Sequence, residues 1–200
     1  MSPSSGPPVI FDSQRRTARL QRSEKLFSGA DFLHVRAAQN AVDSLDALLR
    51  DWPEVADLSA HPGPFAAALK DSHAAGRVGS VKTVGDRASR AGPGNAPLDL
   101  PDASQDLIVS LMSLHWANDL PGALSQIRRA LKPDGLFVGT LLGAGTLKEL
   151  RAVLTEAELE ERGGAQARVS PFADGFDGAA LLQRADRKST RLNSSHVLIS

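Results

Sequence analysis

Two unbroken apolar runs, Leu107-Ile108-Val109-Ser110-Leu111 and Leu136-Phe137-Val138-Gly139-Thr140-Leu141-Leu142, constrain the fold of this 200-residue chain most. Runs without polar alternation are what a strand needs when both faces of its sheet are covered, as in parallel sheets. Between them Asp119 and Pro121 set up a helix start, and Leu124, Ile127 and Leu131 recur at helical spacing. Lys132-Pro133-Asp134-Gly135 then reads as a turn. Strand, helix and strand in that succession form a βαβ unit, whose two strands lie parallel in one sheet.

The flanking segments extend the pattern. Ala38, Ala41, Val42, Leu45, Leu48 and Leu49 predict an amphipathic helix ended by Asp51-Trp52-Pro53. A short strand over Val55 to Leu58, a helix from about Phe65 to Ala75 and a weak strand carrying Val78, Val81 and Val84 follow. Arg87 to Pro97 has several breakers and no apolar period, so it reads as loop. Beyond the second apolar run, Thr146 and Glu149 form a capping box for a helix that buries Leu147, Leu150 and Leu154 and stops at Gly163-Gly164. At the other end Met1 to Pro8 should be loose, and Arg15, Arg16, Arg19 and Arg22 predict the basic face of a solvated helix.

Composition removes several classes of function. Lys plus Arg equals Asp plus Glu at 23 each, so no global field would draw in nucleic acid. There is no cysteine, hence no disulfide and no thiolate metal ligand. His34, His61, His73, His115 and His196 lack the close pairing that puts two imidazoles on one metal, and no metal site is expected. The longest apolar stretch falls well short of the roughly 20 residues that span a membrane, and MSPSSGPPVIF has no secretory core. The expectation is one soluble, cytoplasmic domain acting on a small molecule or a protein, with no membrane span.

In an open α/β sheet, ligands bind beyond the carboxyl ends of the strands, so those ends hold the candidate site. The first is Asp57-Leu58-Ser59-Ala60-His61-Pro62-Gly63. The second is Asp86, whose carboxylate offers two acceptors to a vicinal diol. Ser110 with the following Leu114-His115-Trp116-Ala117-Asn118-Asp119-Leu120-Pro121-Gly122-Ala123-Leu124 marks a third. His115 is the one histidine in a plausible site and is the candidate general base; Trp116 is the candidate wall of a substrate pocket.

Asp106 to Leu124, followed by Ile127-Arg128-Arg129-Ala130-Leu131-Lys132-Pro133-Asp134-Gly135, resembles the fourth strand, post-strand loop and LKPGG-like turn of class I S-adenosylmethionine (SAM) dependent methyltransferases of the type 11 group. The wording LHWANDLPGAL is similar to the subgroup of the complex I assembly hydroxylase and malonyl-acyl-carrier-protein O-methyltransferase. The resemblance implies a Rossmann-like, doubly wound, mostly parallel α/β sheet with strand order 3-2-1-4-5, C-terminally truncated before its closing antiparallel hairpin. It implies SAM as cofactor, held by Asp57, Ser59, Ala60 and Gly63 in a worn glycine loop, by Asp86 at the ribose, by Asp99 at the adenine and by Ser110 near the methionine. It further implies methyl transfer to a small-molecule, carrier-bound or protein acceptor. The alternatives are arginine hydroxylation and a non-catalytic assembly role, with a respiratory-complex subunit as partner.

Residues 1–53 are expected to form an N-terminal helical segment and 54–185 an incomplete methyltransferase-like domain. Asp186 to His196, DRKSTRLNSSH, matches one reading frame of a common sequencing-adapter oligonucleotide, so residues 186–200 are expected to be a non-native tail.

Overall fold

The computed structural model describes residues 9–27, 29–86, 97–172, 180, 190–193 and 196–199. The expectations for Met1 to Pro8 and for Arg87 to Ala96 lie outside those residues. Four parallel strands, β1 (Trp52–Asp57), β2 (Val78–Thr83), β3 (Gln105–Leu111) and β4 (Leu131–Thr140), stand in the order β2-β1-β3-β4. That is the expected order with its outermost third strand absent among the described residues.

Alternation along the two apolar runs divides the core. Leu107 and Val109 of β3, with Leu136 and Val138 of β4, face a layer built from Ala38, Val42, Leu45, Trp52 and Phe65. Ile108 and Phe137 point the other way, onto Leu114, Leu124 and Ile127. Both layers are needed because each strand is apolar on both sides. The first is supplied by α2 (Phe32–Asp46) and α3 (Gly63–Lys70), the second by α4 (Leu120–Ala130). Asp119 caps α4, its side chain accepting from the Gly122 amide at 2.9 Å. At the amino ends of the strands Asp106 Oδ2 accepts from the Glu54 amide at 2.9 Å and from Lys132 Nζ at 2.8 Å, tying β1, β3 and β4 together.

Three local expectations are corrected. Lys132 to Gly135 does not separate helix from strand: β4 begins at Leu131, and the turn is a bulge in its ladder, where Gln105 pairs Leu131 but Leu107 pairs Leu136. Asp134 there has a left-handed φ of 63°, as a turn residue does. The helix α5 (Lys148–Arg162) does not open with the capping box; it is preceded by Leu147 at φ 56° with no side-chain cap, and it has no buried residue. Leu147 and Leu150 are 51% and 46% exposed, so its leucine face is not covered by the core among the described residues.

The third correction concerns the sheet edge. The sequence predicts an unpartnered β4, yet β6 (His196–Ile199) pairs antiparallel with Phe137 to Gly139, and β5 (Thr190–Asn193) pairs antiparallel with β6. The sheet is thus six-stranded, β2-β1-β3-β4-β6-β5. Ladder bonds use main-chain N–H and C=O groups, which a polar segment has as fully as an apolar one.

Candidate functional site

The carboxyl ends of three strands are stitched together by main-chain bonds. Leu58 N donates to Val109 O at 2.8 Å, joining the ends of β1 and β3, while Val84 N (2.9 Å) and Gly85 N (3.2 Å) donate to Asp57 O. The chain leaving β2 is thereby folded over the end of β1, and Gly85 supplies the left-handed φ of 69° that turns it toward Asp86. Asp57 is buried, and its Oδ1 accepts from the Ser59 amide at 2.8 Å. Burial raises the Asp57 carboxyl above the ordinary range, an effect partly offset by the hydrogen bonds from Ser59.

The loop beyond β1 is pinned from below. Ser59, fully buried, accepts from the Leu111 amide at 2.9 Å, and the Ala60 amide donates to Ser113 Oγ at 2.8 Å. The two side chains standing where the resemblance has glycine are therefore accommodated differently. Ser59 is turned into the end of β3, and His61 is stacked on Phe27, ring centroids 3.8 Å apart. Gly63 opens α3, and a Cβ there would meet open space, so no steric need for glycine exists at that position.

At the end of β3, Ser110 is fully buried and its Oγ has no hydrogen-bond partner among the described residues. Met112 follows with a left-handed φ of 54°, held by its amide to Thr140 O at 3.0 Å and Thr140 Oγ1 at 3.1 Å. A methionine in that region is strained, and such strain concentrates where a chain is bent to serve a site. His115 and Trp116 lie in the short helical turn Leu114–Trp116 that comes next. The His115 imidazole is pushed down to about 4, by burial first and then by Arg16 and His34, so it is neutral at physiological pH. Its Nδ1 is buried without a hydrogen-bond partner among the described residues.

The helix α1 (Ser13–Phe27) is the part of the site that sequence reading missed. Arg16 forms a buried ion pair with Asp86, the two side chains 11% and 5% exposed, and its guanidinium lies over the Trp116 ring, 5.4 Å from the centroid. The arginine run is thus not a uniformly solvated face. Phe11 meets Trp116 edge-on at 5.3 Å, and the Asn118 side chain accepts from the amides of Ile10 and Phe11, both at 2.7 Å. His34 and His61 stand 5.3 Å apart, ring to ring, and burial lowers the basicity of both. Histidines scattered in sequence are therefore gathered in space, although no group of three His, Cys, Asp or Glu among the described residues is placed to hold a metal ion. The i, i+3 spacing of Arg16 and Arg19 was the available signal, but nothing in it pointed to Asp86.

These contacts link Asp57 with Ser59, Ala60 with Ser113, and Asp86 through Arg16 with Trp116, while Ser110 and His115 stand near the end of β3 and in the turn after it. Asp99 stands beside β2, exposed, at a left-handed φ of 59°, its carbonyl accepting from Lys82 Nζ at 3.1 Å. The donor set suits a nucleoside linked to a polar chain: a buried carboxylate at each of two strand ends and an orphaned buried hydroxyl at the third.

Residues 56–139 match the methyltransferase domain family. The mitochondrial arginine-hydroxylase NDUFAF5 of Mus musculus is 33% identical over 184 residues, covering 85% of this chain and 52% of that protein. A malonyl-[acyl-carrier protein] O-methyltransferase of Methylovorus is 42% identical over 88 residues, 44% of this chain and 28% of the relative. The chain thus spans about half the length of the mouse relative. Among solved structures, a SAM-dependent methyltransferase of Thermotoga maritima, a possible histamine N-methyltransferase, superposes with a TM-score of 0.52 at 18% identity, covering 87% of this chain and 79% of the other, which shows the shared fold. No described helix is long and apolar enough to cross a membrane. Over residues 56–139 the chain thus carries a match to the methyltransferase domain, and it is similar in sequence to the NDUFAF5 and malonyl-carrier methyltransferase relatives.

Proposed function

We propose that this chain binds SAM across the ends of β1, β2 and β3 and directs its methyl group to an acceptor that is a small molecule, a carrier-bound acyl group or a protein. The observation that supports the reading is the stitching of three strand ends, at or beside which the buried Asp57, Asp86 and Ser110 stand. In it the loop from Asp57 to Gly63 would follow the methionine and ribose, Asp86 would accept from the ribose diol, Asp99 would lie at the adenine, and Ser110 would use its unpaired hydroxyl on the ligand. SAM supplies an activated sulfonium methyl, so the protein's task is placement and exclusion of water. Trp116 would wall the acceptor, and neutral His115 would orient it or take its proton. The compartment assigned with this reading is the cytoplasm; the mouse relative's name places that protein in the mitochondrion.

Calorimetry with S-adenosylhomocysteine tests it. Saturable binding is expected, and adding Asp86→Ala to Arg16→Met should weaken it at least tenfold relative to Arg16→Met alone; equal affinity of the two removes Asp86 from the site. Transfer of label from methyl-labelled SAM to an extract, slowed in His115→Ala, tests the reaction. A second reading is favoured by the 85% of the chain that aligns with the arginine-hydroxylase relative: modification of an arginine in a respiratory-complex subunit, or a non-catalytic part in its assembly. Under it no methyl label moves. An oxygen on a partner's arginine marks the hydroxylase, and complex formation without modification marks the assembly role.

A further inference from the structure

Little apolar contact holds α1 against the site. The helix has no buried residue, and a cavity of about 350 Å³ lined by Phe11, Arg16, Arg19 and Trp116 lies beneath it. Among the described residues its attachment rests on separate points. Asn118 grips the backbone of Ile10 and Phe11, Phe11 abuts Trp116, Phe27 stacks on His61, and Arg16 pairs with Asp86. A segment held by a few contacts opens locally at a small fraction of the global unfolding free energy. Of these contacts, the Arg16–Asp86 pair engages the carboxylate assigned above to the ribose.

We propose that α1 is a strap latched by Arg16, which occupies the Asp86 carboxylate in place of the ribose diol, so that cofactor binding and release of the strap are linked. This rests on the assignment of Asp86 to the diol. A guanidinium and a vicinal diol are both hydrogen-bond donors, and Arg16 engages Oδ2, one of the two oxygens the diol would use. With Asp86 5% exposed and paired with Arg16, the diol must compete with the arginine for the carboxylate. The apparent affinity for cofactor is then the intrinsic affinity reduced by the fraction of molecules with the strap open. Linkage is reciprocal, so cofactor must in turn raise that fraction.

Hydrogen exchange of residues 13–27 in the full chain, with and without S-adenosylhomocysteine, reads the linkage directly. A ligand that lies under a closed lid slows exchange in the lid; a ligand that displaces its latch accelerates it. Acceleration is expected, and an analogue lacking the 2′ and 3′ hydroxyls should not produce it. Arg16→Met keeps the apolar stem over Trp116 and removes the donors, and it should bind S-adenosylhomocysteine about tenfold tighter if the strap is open about a tenth of the time. Slower exchange of α1 on ligand binding, or unchanged or weaker binding in Arg16→Met, overturns the proposal. Asp86→Asn separates it from the site assignment. Faster α1 exchange in that variant without ligand supports the latch even where ligand affinity is unaltered and the diol assignment fails. Unchanged exchange removes the latch even where affinity falls as assigned. Binding to neither the parent chain nor Arg16→Met removes both.

Discussion

Ser59 accepts the Leu111 amide in a fully buried setting, and this decides what a substitution there does. Restoring glycine would thin the loop, but it would leave a buried N–H unmet, at a cost of about 1–3 kcal/mol. Ser59→Gly and Ser59→Ala should each lose that much in urea unfolding; a loss under about 0.5 kcal/mol would show that the amide finds another acceptor. That bond was not legible in the sequence, which displays the residue at a loop position but not the strand end it turns toward. Arg16 is the same case in reverse. Its neighbours Arg15 and Arg19 are exposed, and its burial comes from Asp86 lying 70 positions away, a pairing no local pattern records. His115 was recognisable as the histidine after a buried strand, whereas its low basicity, near 4, comes from burial and from Arg16 and His34. If His115 is the base, the acid limb of the methyl-transfer profile should fall near pH 4 to 5. A limb centred at the ordinary imidazole value of about 6.5 would assign it to another group.

At the scale of elements, legibility follows burial on both faces. β3 and the Leu136 to Thr140 part of β4 were readable because each is a continuous apolar run, and α4 because Asp119, Pro121 and the spacing of Leu124 and Ile127 agree. Asp119→Ala removes the acceptor of the Gly122 amide and should destabilise by about 1 kcal/mol. β2 was faint because it is an edge strand, exposed along most of its length, and needs no apolar face. α5 misled for the opposite reason: its leucines have helical spacing, but periodicity states only that a face exists and not that something covers it. Leu150 is 46% and Val153 61% exposed. Leu150→Ser should therefore change stability by no more than about 0.5 kcal/mol, the range for surface positions, where a core leucine would lose several times as much. A loss above about 2 kcal/mol would show that α5 is packed in solution.

Two properties belong to the whole molecule, and the first is its response to acid. His34, His61 and His115 all have basicities lowered mainly by burial. Their folded values lie below the unfolded value of about 6.5, so in that interval the unfolded chain binds more protons and stability falls as pH falls. The stabilisation is complete above about pH 6.5 and, for His115, lost by about pH 4, with a magnitude on the order of 3 kcal/mol. His34 and His61, only partly buried, add less. Asp57 acts with the opposite sign, because its raised value means that protonation in the carboxylate range favours the folded state. The urea midpoint should drop between pH 7 and pH 5, and an unchanged midpoint would show that these imidazoles are not buried together. The second property is closure of the sheet. β4 is apolar on both faces, and its outer edge is covered along Phe137 to Gly139 by β6, which is covered in turn by β5. A long apolar strand with a bare edge is a template for another chain, and β4 carries no charge or proline between Leu136 and Thr140 to deter it. Deleting residues 186–200 removes both hairpin strands and should convert monomer into concentration-dependent oligomers in sedimentation velocity, with a lower thermal midpoint. Leu198→Pro tests the same edge with the chain intact, since Leu198 lies opposite Val138 at the middle of the ladder and proline has no N–H to give. If both variants stay monomeric with the parent's midpoint, the hairpin contributes nothing to the edge, and β4 must be protected by its own twist.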